Sequence, residues 1–332
     1  RYDNIKPDTI VAKAAHLNQN RAEGAITLLM AGFCSSGILA ILGICTKLKY
    51  HNKPIHIMAT TTWIYLNNQV QNRISKSNPP FPKYKPRNKI TESPKETWIV
   101  FVSDWQCNEF INNFNLPKEK CFVIKNAIEI EPVLNKKKEK KIKLIYTSTP
   151  WRGLEVLLNS IKYLNKIRDD FVLDVYSSTK IYGKEFDNIN KKYFVGLFDE
   201  IDKTPNINSH GYVENNKIIE ILEDTNIFTY PTTSNETFCI AALEALAKGC
   251  LVFVTDWGAF KELGKNYCEF IKFENNLESL SLNYAKKLNS LIDNYKKGIY
   301  ENKLKSQSIF YCENYSWKER TKEWKKFLSK YK

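Results

Sequence analysis

The chain has 332 residues, 43% of them hydrophobic and 26% charged, a balance that excludes disordered, collagenous and disulfide-scaffold classes and leaves enough apolar surface for a sizeable core. Lys and Arg number 50 against 36 Asp and Glu, and the formal charge of +14 suits an anionic ligand or surface without saying which. At about 100–200 residues per domain, the length predicts two domains.

The first strand candidate, DTIVAK at 8–13, is followed by an uncharged run, 25–45, long enough to cross a bilayer. Its interruption by Cys34-Ser35-Ser36-Gly37 and the basic tail at 46–52 favour buried helices beneath a parallel sheet over a membrane span. Strand candidates follow at 54–59, 97–103 and 121–125, and prolines from Pro79 to Pro94 mark a loop suited to cover a cleft. The lysine-rich run KKKEKKIK at 136–143 reads as a solvated linker between a first lobe, 1–134, and a second, 142–332.

In the second lobe, apolar runs at 142–148, 171–177, 207–213, 226–231, 250–255 and 268–273 alternate with helical patterns such as Leu154, Leu157, Leu158, Ile161 and Leu164. The first lobe shows the same alternation. Right-handed crossovers then give an α/β fold of two Rossmann-like, doubly wound lobes, whose ligands bind at the carboxyl ends of the strands. Helical patterns at 276–298 and 301–331 close the chain.

Eight cysteines stand singly, with no C-x-x-C pair and no His at zinc-ligand spacing, so they read as buried thiols in a reducing compartment. The chain begins at Arg1, and no basic-then-apolar leader is read, so a cytoplasmic location is expected. The basic charge leaves peripheral contact with a membrane open. His210 reads as a loop histidine, the seven tryptophans as packing residues, and no hydrolase nucleophile motif is present.

The segment 229–263 carries the chemistry. Glu236 stands just before an apolar helix that contains Glu244. Eight residues at about 1.5 Å each separate the two carboxylates by roughly 12 Å along the axis, about the span from a sugar across a diphosphate to a ribose. The helix start offers free N–H groups at Phe238, Cys239 and Ile240 with the positive end of the dipole behind them, which makes an anion seat. Glutamates beside such a seat repel a bare phosphate but accept hydrogen bonds from hydroxyls on the same ligand, and a nucleotide sugar has both. Taken alone, they better suit a helix-cap acid and a solvated helix residue.

At these residues the chain resembles the retaining glycosyltransferases of the GT-B fold, specifically the group-4 (GT4) family. The pattern E-x7-E, A-x-A-x-G, apolar strand, D-x-G-x-x-x-E is met by Glu236, Glu244, Ala245, Ala247, Gly249, Asp256, Gly258 and Glu262. The resemblance implies that Glu244 holds the ribose hydroxyls, that Glu236 touches the transferred sugar, and that Phe238, Cys239 and Ile240 present amides to sugar and phosphate. The family usually has glycine where Cys239 stands.

The stretch 144–164 matches the start of the family's second lobe: Arg152 before Gly153 takes the place of a phosphate-gripping Lys, and Ser148 or Thr149 stands where the family has Arg. A guanidinium there neutralises the departing diphosphate, the task a metal performs elsewhere, and no D-x-D triplet is present, so neither cofactor nor metal is expected. NINSHGYV at 206–213 resembles the nucleobase-lining strand and turn, implying Gly211, Tyr212 and Val213 near the base. FVSDWQ at 101–106 and VIKNAIE at 123–129 resemble the closing strands of the first lobe, with Asn126 near the cleft. The first lobe's glycine loop and donor-facing His are not identified at Gly32 to Gly37 or Thr60 to Trp63, so the start of that lobe is read as absent or shortened.

The implied activity is hexosyl transfer from a nucleotide-diphosphate sugar to a glycan or a lipid- or protein-linked acceptor, retaining and metal-independent. Rival readings are an inactive nucleotide-sugar-binding subunit and a GT-B epimerase or phosphorylase. No helix-turn-helix, zinc finger or RNA-binding motif supports a nucleic-acid partner.

Overall fold

A computed structural model describes residues 97–136 and 140–329, together with strand segments between 26 and 57. The molecule divides into two compact units, one holding 97–126 with the terminal helix and the other holding 127–316.

The first unit is built on parallel strands in the order β1 (Ile26–Leu28), β5 (Lys53–Ile57), β6 (Thr97–Phe101), β7 (Cys121–Val123), with β4 (Lys49–Tyr50) antiparallel against β5. The segments β2 (Phe33–Cys34) and β3 (Gly37–Ile38) form a separate antiparallel pair that belongs to the second unit. Side chains on a strand alternate between faces, and β6 shows this directly. Its Ile99 and Phe101 pack with Cys107 and Phe110 of α1 (Asp104–Phe114), while Val100 joins Ile124 and Phe327 of the terminal helix α10 (Trp317–Ser329). Helix α1 begins where the Ser103 side chain accepts from the Gln106 N–H at 3.0 Å, satisfying one otherwise open donor.

The second unit is a six-stranded parallel sheet of order β10-β9-β8-β11-β12-β13. Its strands are β8 (Ile142–Thr147), β9 (Phe171–Tyr176), β10 (Ile207–Ser209), β11 (Ile227–Tyr230), β12 (Leu251–Thr255) and β13 (Glu269–Ile271). Counted within this unit the order is 3-2-1-4-5-6, so the winding reverses between β8 and β11. Between the strands run α2 (Leu154–Leu164), α3 (Lys184–Asn190), α4 (Val195–Lys203), α5 (Asn215–Asp224), α6 (Ile240–Ala247) and the short α7 (Phe260–Gly264). Helices α8 (Leu277–Lys296) and α9 (Glu301–Asn314) follow the last strand. The central β11 and β12 and all of α6 are buried, which is why these segments read as continuous apolar runs.

Four expectations are corrected. The strand expected at 207–213 stops at Ser209, because Gly211 turns the backbone to φ +66°. The helix expected over 301–331 is two helices, broken where the Ile128 N–H bonds to the Tyr315 carbonyl at 2.9 Å and Ile128 bridges Ser316. The lysine run is not all solvated linker: the Lys136 ammonium bonds to the Leu222 carbonyl and lies 3.4 Å from Cys250 Sγ, while Ile142 and Lys143 enter β8. The thiols of Cys107, Cys239, Cys250 and Cys268 are buried as expected, but Cys121 and Cys312 are only partly so.

Among the described residues no helix is long and apolar enough to cross a membrane. Apart from β1, β2 and β3, the run 25–45 lies outside the described residues, as do 8–13, the proline loop and 60–63.

Candidate active site

The reversal between β8 and β11 opens a crevice at the carboxyl ends of these strands, the position where open α/β sheets bind ligands. Two adjoining chambers, both open to solvent, occupy it. They share Thr147, Ser148 and Ile181. Two glycines let the backbone close around them. A Cβ on Gly153 (φ +94°) would sit 2.0 Å from the Pro231 carbonyl oxygen, so only glycine lets the start of α2 meet the end of β11. A Cβ on Gly258 (φ +72°) would sit 2.3 Å from the Glu236 carbonyl oxygen, where Gly258 and Glu236 form a parallel bridge.

One chamber is lined by Thr149, Arg152, Tyr182, Tyr230, Glu236, Cys239, Ile240 and Ala241 in addition to the shared residues. Arg152 Nη1 donates to Glu236 Oε1 at 2.7 Å, and the Tyr230 hydroxyl donates to the same oxygen at 2.6 Å. Ser148 Oγ lies 3.3 Å from the Tyr230 hydroxyl. Burial works against the charge on Arg152, but Glu236 beside it and the Tyr230 hydroxyl hold its guanidinium well above the ordinary value, so it stays a cation. Burial, reinforced by Glu236, pushes the Tyr230 phenol far up, so it stays a donor. Tyr182 is pushed up to about 12 by burial, against the pull of Arg152 and a bond with Thr149.

Helix α6 aims its amino end into this chamber. No side chain caps it, and the first N–H to find an acceptor inside the helix is that of Leu243, on the Cys239 carbonyl at 3.2 Å. By construction the amides of the first turn, including the chamber-lining Ile240 and Ala241, have no intrahelical acceptor. Cys239 precedes them at φ +65°, a left-handed conformation that side chains with a Cβ rarely adopt.

The other chamber is lined by Gly211, Tyr212 and Val213, together with Tyr176, Ser178 and Ile218. His210 stands outside it, its ring stacked on Tyr176 at 4.5 Å and its Nε2 2.7 Å from Asp174 Oδ1.

Of the site residues read from the sequence, the structure thus gathers Ser148, Thr149, Arg152, Glu236, Cys239 and Ile240 around one chamber and Gly211, Tyr212 and Val213 around the other. Two are placed differently. Phe238 lines neither chamber; it is buried with its ring 6.1 Å from that of Tyr315. Glu244 lines neither chamber; it is buried on α6 and its Oε1 accepts from Asn215 Nδ2 at 2.9 Å. Sequence reasoning missed Tyr182, Tyr230, Asn215 and Ala241. For Tyr230 the usable signal was its place immediately before Pro231, at the end of a buried strand beside the reversal.

Residues 126–307, more than half of the chain, match the family described as glycosyl transferases group 1. The chain belongs to that family. The matched span holds both chambers and every motif from Ser148 to Glu262. Among solved structures, a glycosyltransferase from Rickettsia africae ESF-5 is similar with a TM-score of 0.56 at 15% identity, over 86% of this chain and 71% of that one. Anabaena HepE in complex with UDP-glucose is similar with a TM-score of 0.59 at 14% identity, over 83% of this chain and 72% of that one. The pneumococcal O-GlcNAc transferase GtfA, in complex with UDP and GlcNAc, gives 0.50 at 17% identity over 70% of this chain, which spans only 45% of GtfA. At these identities the likeness is one of fold: two α/β units with parallel sheets, as in GT-B glycosyltransferases. No curated protein matches the chain. Among the described residues no cluster of His, Cys, Asp and Glu is arranged to hold a metal ion.

Proposed function

We propose that this group 1 glycosyltransferase moves a hexose from a nucleotide-diphosphate sugar to a glycan or a lipid- or protein-linked acceptor. The observation that carries this reading is that Arg152 and the open amino end of α6 line one chamber, so a cation and backbone donors converge where a diphosphate would sit. The nucleobase would lie in the chamber of Gly211, Tyr212 and Val213. UDP is the first candidate, because HepE and GtfA were solved with UDP or its sugar.

In this reading the diphosphate displaces Glu236 from Arg152. The sugar–phosphate bond breaks as the oxygen of the acceptor hydroxyl bonds the sugar and its proton passes to the departing diphosphate, whose remaining charge meets the guanidinium and the amides of Ile240 and Ala241. Those groups supply the neutralisation, so we expect the reaction to need no metal. Glu236 faces the sugar hydroxyls. Glu244 would receive the ribose hydroxyls only after parting from Asn215. Retention, the GT4 assignment and the acceptor role of the first unit rest on the family resemblance, a cytoplasmic site of action on the singly placed cysteines, and contact with a membrane surface on the basic charge.

A thermal-shift panel of UDP, GDP, ADP and dTDP, with and without chelator, tests the reading on wild type, Arg152→Ala and Glu244→Ala. A ligand at about 100 times its Kd stabilises by about 2.7 kcal/mol. One diphosphate should raise Tm by several degrees, chelator should change nothing, and both variants should lose most of the shift. No shift with any diphosphate would remove the proposal.

A further inference from the structure

We propose that Tyr230 is a positioning residue that anchors Glu236 against the transferred sugar while Arg152 turns to the diphosphate; this rests on the nucleotide-sugar reading above. Two donors meet on one oxygen: Arg152 Nη1 at 2.7 Å and the Tyr230 hydroxyl at 2.6 Å both reach Glu236 Oε1. Among the described residues no side chain donates to Oε2, so the carboxylate is held by one oxygen and offers the other.

The two donors differ in what they can do next. Arg152 is paired with Glu236 but lines the chamber, so an incoming diphosphate competes for its guanidinium. Tyr230 is the last residue of β11, almost wholly buried, with its ring among Tyr146 at 5.7 Å, Phe228 at 6.0 Å and Phe260 at 5.9 Å. It has no room to follow a ligand, so its hydroxyl keeps Glu236 Oε1 fixed whether or not Arg152 is engaged elsewhere. Without it, a carboxylate released by Arg152 would keep its backbone bridge to Gly258 but lose its orientation. Preorganisation of this kind contributes only to the part of the substrate that Glu236 touches. Tyr230 should therefore matter for the sugar and not for the nucleotide.

The experiment measures, by calorimetry, the affinities of wild type, Tyr230→Phe, Glu236→Ala and the double variant for UDP, GDP, ADP and dTDP and for their glucose conjugates. In the wild type the sugar should add affinity over the matching diphosphate. Tyr230→Phe should leave diphosphate affinity within twofold but reduce the gain from the sugar by about tenfold, the scale of a hydrogen bond to a charged group. In the Glu236→Ala background the same substitution should cost nothing further, since the acceptor of its hydrogen bond is gone.

If diphosphate affinity falls as much as sugar-conjugate affinity, Tyr230 is structural packing and the inference is overturned. It is equally overturned if the two substitutions add, or if the wild type gains nothing from any glucose conjugate while still binding a diphosphate. Failure of every diphosphate to bind the wild type removes the functional reading beneath it instead.

Discussion

The two ends of α6 are built to opposite rules. At the carboxyl end every carbonyl of the last turn has a donor. Gly249, at φ +68°, lets Cys250 N reach the Ala245 carbonyl at 2.9 Å and Gly249 N reach the Leu246 carbonyl at 3.1 Å, the two bonds of a Schellman cap. Gln307 of α9 donates to the carbonyls of Leu246 and Cys250, and Ser308 to that of Ala247. At the amino end no side chain caps the helix, a non-glycine residue is held left-handed, and a buried ion pair stands alongside. One end spends its bonds on holding the helix still, and the other leaves its donors open, which in the proposed reading meet a diphosphate.

The contrast is broken most severely at Gly258. An alanine there would place its Cβ 2.3 Å from the Glu236 carbonyl oxygen and 2.6 Å from its nitrogen, both backbone atoms that cannot rotate away. The left-handed penalty of about 1–2 kcal/mol and an overpacking cost of about 1–3 kcal/mol predict a loss of about 2–5 kcal/mol in urea unfolding, together with loss of donor binding. Unchanged stability would show that the Glu236 bridge does not hold the site.

Gly249→Ala acts at the other end and should cost about 1 kcal/mol. The nearest backbone atom to the added Cβ is the Val133 carbonyl oxygen at 3.1 Å, close but not prohibitive. Because the carboxyl end touches no chamber, diphosphate affinity should stay within twofold of wild type in titration. A larger change in affinity than in stability would join the two ends that the structure separates.

The sequence shows the strands of the second unit clearly, since parallel strands covered on both faces leave uninterrupted apolar runs such as CLVFVT. It also shows Arg152 and Glu236, but as separate contacts for different parts of a ligand. Their bond joins residues 84 positions apart and exists because the winding reverses between β8 and β11, which a pattern of periods does not encode. Tyr230 hides in its strand as one more buried aromatic. Helices α3 and α4 are only seven and nine residues long within a lysine- and asparagine-rich stretch, too few turns for a period to emerge. The break at 315–316 comes from a remote partner, Ile128, so the helical pattern runs through it unmarked.

The smallest expected effect sharpens the comparison most. Cys239 is the only non-glycine residue among the described chamber-lining positions with a positive φ, and its side chain is 7% exposed. Replacing it with glycine relieves about 1–2 kcal/mol of left-handed strain. Against this stand the greater freedom of glycine in the unfolded chain, about 0.5–1 kcal/mol, and the lost burial of a small side chain, about 1 kcal/mol. The terms nearly cancel, so Cys239→Gly should change unfolding stability by less than about 1 kcal/mol, unlike an ordinary buried truncation. A loss above about 2 kcal/mol would mean that the thiol, rather than the backbone turn, holds the amino end of α6 in place.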